Sequence, residues 1–134
     1  MLVIDLILDQ QRLLFFLLFY SATYIQDQLN QSNLDEFLSR YLSAGDFLLD
    51  LAWNIDANAI IGWAHDHDVL YLNTSVEEWN PYEAASKRTP QERTLYVRHM
   101  RLREMKSKWD RPGPTAIVEH GANPGLVSHL VKKA

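Results

Sequence analysis

The 134-residue chain has no cysteine. That excludes a disulfide framework, a thiol nucleophile and cysteine-ligated zinc, and it agrees with a cytoplasmic setting. Glycine is scarce, five residues in all. No G-x-G-x-x-G occurs, so the phosphate turn of a complete dinucleotide-binding domain is missing from these residues. Charge of one sign never accumulates: the net charge is −4 and no block of five like charges appears. A nucleic-acid footprint, which needs clustered lysine and arginine, is not expected. Long hydrophobic runs are missing too. The longest, Leu13 to Tyr20, falls far short of the ~20 residues of a membrane span. Asp5 and Asp9 precede it where a signal peptide carries positive charge. It reads as a buried core helix or strand, and no membrane partner is expected. G-x-S-x-G and H-E-x-x-H are absent, so hydrolase chemistry has no support.

What is present is a regular alternation. With 47% hydrophobic and 22% charged residues, the chain can build one core. Leu34, Phe37, Leu38, Tyr41 and Leu42 recur at helical spacing after a cap at Ser32 or Asn33. Asp46 to Trp53 is a continuous apolar run, the mark of a strand buried on both faces. A helix follows to about His67, then a second buried strand, Val69 to Asn73. A polar segment from Thr74 to Thr89 leads to a helix over about 91–108. Its basic residues, Arg93 to Lys108, read mainly as a solvated face. Thr115 to Glu119 is a third strand. The expected fold class is α/β: a partial Rossmann-like parallel sheet with flanking helices. In such sheets ligands bind beyond the carboxyl ends of the strands. Three segments fall there: Asp50–Asn54, Asn73–Trp79 and Gly121–Gly125.

The last of these is the most informative. Glu119-His120-Gly121-Ala122-Asn123-Pro124-Gly125 joins a strand to a helix beginning near Leu126. Gly121 and Gly125 remove side chains where the backbone turns or approaches something closely. A loop of this kind presents backbone N–H groups and a positive helix end to an anion or polar ligand. In the second segment, Glu77, Glu78 and Trp79 put two acids and an indole together. Carboxylates beside an aromatic face suit an alkylammonium ion; the residues by themselves favour a polar surface loop with one tryptophan packed down. Asp50 lies in a strand, where a carboxylate must be paired, near a ligand, or half exposed at the strand end. The histidines form no metal constellation: His65 and His67 do not share a helix face, so no metal site is expected. His120 and His129 flank the glycine-containing loop, in either a ligand or a capping role.

Asp46-Phe47-Leu48-Leu49-Asp50-Leu51, Leu70-Tyr71-Leu72-Asn73, Glu77-x-Trp79, Arg93-Thr94-x-Tyr96 and His120-Gly121-Ala122-Asn123-Pro124-Gly125-Leu126-Val127-Ser128-His129 occur in that order. In this the chain resembles bacterial-type homospermidine synthases, relatives of saccharopine dehydrogenase, from about Tyr24 to Ala134. The resemblance divides the chain into a divergent apolar segment, 1–23, and the second part of a Rossmann-like NAD-binding domain, 24–134, truncated at its carboxyl end. It implies NAD as cofactor and putrescine or related diamines as substrate. Putrescine is oxidised, loses ammonia, condenses with a second putrescine, and the Schiff base is reduced to homospermidine. It implies a homodimer for the full-length enzyme. Glu77 and Trp79 match the family's catalytic acid-Pro-Trp motif; Asp50, Leu51, Thr74, Asn123 and Pro124 match positions near the nicotinamide half of NAD. Three positions depart from the pattern: Glu78 replaces the motif's proline, Leu95 an asparagine, and His99 an arginine. With the glycine-rich loop and the first strand missing, weak NAD binding and no independent activity are expected. The alternative is a non-catalytic Rossmann-like remnant or interaction domain. A small flavodoxin-like domain would have a self-covered sheet, whereas either of these would leave a sheet edge exposed.

Overall fold

The computed structural model describes residues 2–4, 25, 27–82 and 88–133. The apolar run Leu13 to Tyr20 lies outside them. The elements are β1 (Leu2–Ile4), α1 (Leu34–Tyr41), β2 (Phe47–Asp50), α2 (Ala57–Asp66), β3 (Leu70–Asn73), a 3-10 turn (Gln91–Arg93), α3 (Leu95–Ser107), β4 (Ala116–Ile117) and α4 (Leu126–Lys133). The four strands form one sheet in the order β1-β2-β3-β4, and every pair is parallel. The parallel α/β expectation therefore holds. The sheet has one strand more than expected, because Leu2–Ile4 pairs with Leu48–Asp50.

Each strand is shorter than its apolar run, and the ends have local causes. β2 stops at Asp50 because its carboxylate accepts the Ala52 N–H at 3.0 Å and turns the chain out of the ladder. Asn54 then takes a left-handed φ of 61°. Asp56 caps α2 by accepting the Ala59 N–H at 3.0 Å, so that helix starts at Ala57. α3 starts at Leu95, not Gln91, since Thr94 is extended between a 3-10 turn and the helix.

Burial on both faces of the strands is corrected by the structure. The paired residues Leu48 and Tyr71, then Asp50 and Asn73, share a buried face. On the opposite face Leu49 and Leu72 are half-buried and Leu70 is 38% exposed. The topology explains it. The sheet grows one neighbour at a time in one direction, and crossovers of one hand then place their helices on one side. α2 and α3 accordingly pack on each other. Leu38, Leu48, Ile60, Ile61, Val69 and Tyr71 form the centre of the core on that side. Trp63 Nε1 donates to Asp35 Oδ1 at 2.9 Å and ties α2 to α1. β4 is exposed at both of its residues, with Ile117 at 45%, so this edge of the sheet is uncovered.

The return from α3 to β4 is clipped to the end of α2. The buried His65 ring stacks on Trp109 with centroids 3.9 Å apart and an 8° interplanar angle. Its Nδ1 lies 2.8 Å from Asp66 Oδ1, and its Nε2 lies 3.3 Å from the Arg111 carbonyl. Arg111 donates to Asp68 at 2.8 Å and to the His65 carbonyl at 2.9 Å. Gly113 runs so close to the imidazole that a methyl group there would overlap it.

Candidate functional site

The carboxyl ends of β2 and β3 are joined by a chain of buried hydrogen bonds. Tyr71 Oη donates to Asp50 Oδ2 at 2.6 Å, and Asn73 Nδ2 donates to Tyr71 Oη at 2.9 Å. Asn73 Oδ1 accepts the Glu119 N–H at 2.8 Å, and its main-chain carbonyl accepts the His120 N–H at 2.9 Å. Burial pushes the Asp50 carboxyl above its ordinary range, against the pull of its two hydrogen bonds, and the nearby Glu77 charge adds to the rise. Burial and the Asp50 charge both hold the Tyr71 hydroxyl in its protonated, donating form. The Asp50 side chain is thus committed to Tyr71 and the Ala52 amide.

The loop 119–125 comes down on the end of β3. Glu119 has a left-handed φ of 57°, which ends β4 and swings the chain back. Gly121 sits against Thr74; a Cβ there would lie 3.2 Å from the Thr74 Cβ. Gly125 has a φ of 122° and crosses the Gly121 main chain so closely that no side chain fits. The loop closes on itself: Gly121 N–H donates to the Pro124 carbonyl at 3.0 Å, Leu126 N–H to Gly121 at 2.9 Å, and Val127 N–H to Ala122 at 3.0 Å. Ser128 N–H donates to Gly125 at 3.0 Å. The start of α4 therefore does not offer its free N–H groups to an anion, as the loop sequence suggested. Asn123 and Pro124 are exposed at the loop tip, and Leu51 and Thr74 are exposed on the facing strand ends. His120 and His129 meet edge to face at 5.5 Å.

A cleft of about 370 Å³ is lined by Trp53 and Tyr82 among others, and those two rings meet edge to face at 6.0 Å. Glu77 lines it, half-buried, and accepts a bond from Ser75 Oγ at 3.0 Å. Trp79 does not line it; its ring leans on the hydrophobic core and is only partly exposed. Glu78 is the surprise. Only 7% exposed, it binds Arg88 Nη1 at 2.7 Å and Arg101 Nη1 at 2.5 Å, with Arg98 Nε at 3.7 Å. Burial raises its proton affinity, but the three guanidinium groups outweigh that and hold the carboxyl below its usual value. Arg98 also donates to the Val76 carbonyl at 2.6 Å. So the basic side chains of α3 are not simply a solvated face: Arg98 and Arg101 lock the loop after β3 to the helix. The sequence held one signal for this, an acid in a motif followed by arginines spaced along a helix. At a second departure from the pattern, His99 Nε2 lies 2.9 Å from Glu119 Oε2 without hydrogen-bond geometry. Among the described residues no group of histidine, aspartate or glutamate side chains could hold a metal ion, and no helix is long and apolar enough to cross a membrane.

The model of the saccharopine dehydrogenase NADP binding domain matches residues 2–117. The chain belongs to that family. The match begins ahead of Tyr24 and takes in β1. Among curated relatives, the homospermidine synthase of Mesorhizobium japonicum is 30% identical over 115 residues, covering 83% of this chain and 23% of its own. That of Blastochloris viridis is 31% identical over 115 residues, covering 83% and 24%. Among solved structures, the homospermidine synthase of Legionella pneumophila in complex with NAD superposes with a TM-score of 0.67 at 30% identity, covering 87% of this chain and 23% of that one. The chain spans about a quarter of the length of the relatives it matches.

Proposed function

We infer that this chain supplies the nicotinamide-side half of an NAD site and part of the amine site in a homospermidine synthase-like enzyme. The observation that supports the reading is the contact of Gly121 with Thr74, which brings the glycine-containing loop onto the end of β3. Of the residues assigned to the nicotinamide half, Leu51, Thr74, Asn123 and Pro124 are exposed and available to a ligand, whereas the buried Asp50 carboxylate is taken by Tyr71 and the Ala52 amide. The residues toward the pyrophosphate do not fit. β1 is followed by Asp5, and no glycine precedes Gly45. The glycines of a pyrophosphate-binding turn are therefore not supplied by the sequence before that position. NAD, when bound, accepts and returns a hydride. Glu77 holds a substrate ammonium by charge, and the exposed rings of Trp53 and Tyr82 border its methylene chain. Trp79 braces the loop that carries Glu77. A diamine such as putrescine as substrate, a homodimer for the full-length enzyme and a cytoplasmic location accompany this reading.

The test is transplantation. The matched segment of the Mesorhizobium japonicum enzyme is replaced by this chain, and homospermidine formed from putrescine is measured by chromatography. Product is expected, and Glu77→Gln should lower turnover by about two orders of magnitude, the loss from unpairing a desolvated ammonium. A folded chimera without product, or one indifferent to Glu77→Gln, refutes the reading.

A further inference from the structure

We propose that the clip between the end of α2 and the return to β4 is a pH-sensitive latch, closed while the His65 ring holds two protons and released when Nε2 gives one up. It stands apart from the amine and cofactor reading.

Both ring nitrogens face acceptors. Nδ1 lies 2.8 Å from Asp66 Oδ1, and Nε2 lies 3.3 Å from the Arg111 carbonyl oxygen. A carboxylate and a carbonyl can only accept, so both contacts are hydrogen bonds only when both nitrogens carry a proton. A neutral ring has one N–H and one lone pair. The carboxylate is the stronger acceptor, so the remaining proton stays on Nδ1. The bond lost is the one to Arg111, which crosses from α2 to the return; the other joins neighbours on α2. The released proton goes to solvent.

The surroundings favour the doubly protonated ring. His65 is buried, which by itself disfavours charge. The neutral ring gains little from that, because it leaves a buried lone pair against an oxygen. The Trp109 indole lies flat on the imidazole at 3.9 Å, and a cation is drawn to such a face. Three carboxylates act on the clip: Asp66 on α2, Asp68 after it and Asp110 on the return. Arg111 feels them, its proton affinity raised first by the bond to Asp68 and further by the charges of Asp68, Asp66 and Asp110. Arg111 itself is paired with Asp68 at 2.8 Å. From α3, Arg103 and Lys106 line the same groove as Trp109. His67 turns instead to Trp63, stacking on it at 4.2 Å with Nδ1 2.8 Å from the Trp63 carbonyl.

Imidazole changes charge between about pH 5 and 8. A proton held by the closed latch stabilises it where the proton is bound, so the contribution is complete at the acid end of that window and disappears as pH rises. The return leads into β4 and the loop 119–125, which then keeps its bonds to Asn73 alone on the other side.

The test is ring-nitrogen and amide NMR of the 134-residue chain across about pH 5 to 8. Both His65 nitrogens should carry protons at the acid end, and Nε2 should lose its own as pH rises. The amides of Trp109, Arg111, Gly113 and Thr115 should shift and exchange faster with the same midpoint. His67, stacked on a tryptophan in the same way, is the control: its titration should leave those amides still. Asp66→Asn, at an exposed carboxylate, should move the His65 midpoint about half a pH unit toward acid, with the amides following. His65→Gln should remove the pH-dependent step from the return. Loss of the proton from Nδ1 instead of Nε2, one proton or two throughout the range, or return amides that ignore the ring overturns the proposal. If His65→Gln does not fold, Asp66→Asn decides: a midpoint that stays, or amides that do not follow it, refutes the latch.

Discussion

Glu78→Gln is the most informative single change in this chain, because sequence and structure give the residue opposite weights. In the family pattern its position holds an uncharged proline, which marks it as dispensable beside Glu77. In the fold its side chain is 9% exposed and contacts three arginines. Glutamine keeps the shape and removes the charge, leaving Arg88, Arg98 and Arg101 crowded without an anion. Breaking a fully buried pair costs ~3–5 kcal/mol, and an exposed pair ~0–1. The arginine side chains are 28%, 25% and 47% exposed, which places this cluster between the two. We expect a loss of ~2–3 kcal/mol. With an m-value of ~1–3 kcal/mol/M, the urea midpoint should fall by about 1–2 M, followed by tryptophan fluorescence. The pH dependence carries the same sign. The folded carboxyl titrates below its unfolded value of ~4.3. Its stabilisation is therefore complete above that pH and disappears as pH falls through the lower folded value. Wild type and Glu78→Gln should converge toward acid. A variant within about 0.5 kcal/mol of wild type at neutral pH, or a Glu77→Gln variant equally destabilised, would refute the placement of Glu78 as the buried anchor.

Tyr71→Phe removes the hydroxyl shared by Asp50 and Asn73, leaving two buried polar groups short of a partner; a loss of ~1–3 kcal/mol in urea unfolding is expected, and under 0.5 would contradict the network. The Asp50 carboxyl is held above its unfolded value, so it opposes folding progressively as pH rises through that window, and Asp50→Asn should flatten the stability–pH curve there; an unchanged slope counts against it. Gly125→Ala combines a left-handed φ of 122° with a clash on the Gly121 main chain, and amide exchange across residues 119–127 should accelerate strongly, more than for Gly121→Ala, where the nearest Thr74 atom is 3.2 Å away. Calorimetry of NAD against the isolated chain should show weak binding or none, since each missing charge-assisted bond at the pyrophosphate removes roughly 1.5–3 kcal/mol; submicromolar affinity would overturn that.

The parallel α/β order was legible because strands and helices differ in period, and the runs around Leu48 and Tyr71 are too apolar to be loops. The strand ends were not legible. They are set by single side chains, the Asp50 carboxylate taking the Ala52 amide and Glu119 entering a left-handed φ, which no window average resolves. Burial on both faces was over-read, since an apolar run does not reveal on which side the crossover helices fall. At the candidate site, Glu77 and the Gly121–Gly125 loop were singled out from residue type and spacing. Glu78 was missed because its partners lie ten to twenty-three positions along the chain. Trp79 was assigned to ligand, whereas Trp53 and Tyr82, which line the cleft, lie in segments without a motif.

The clip behind β4 sets how precisely the far end of the molecule can be aimed. β4 contributes only two ladder residues, too short a splint to fix its own height in the sheet. Its position is taken instead from both directions: at its amino side from the His65–Trp109 stack and the Gly113 backbone wedged on the imidazole, at its carboxyl side from the Asn73 amide gripping Glu119. The Asn123-Pro124 tip is thus the short arm of a lever whose fulcrum is β4 and whose long arm is anchored at the opposite end of the sheet. A residue larger than glycine at position 113 would push the fulcrum, and the error would surface at the tip rather than where the change was made.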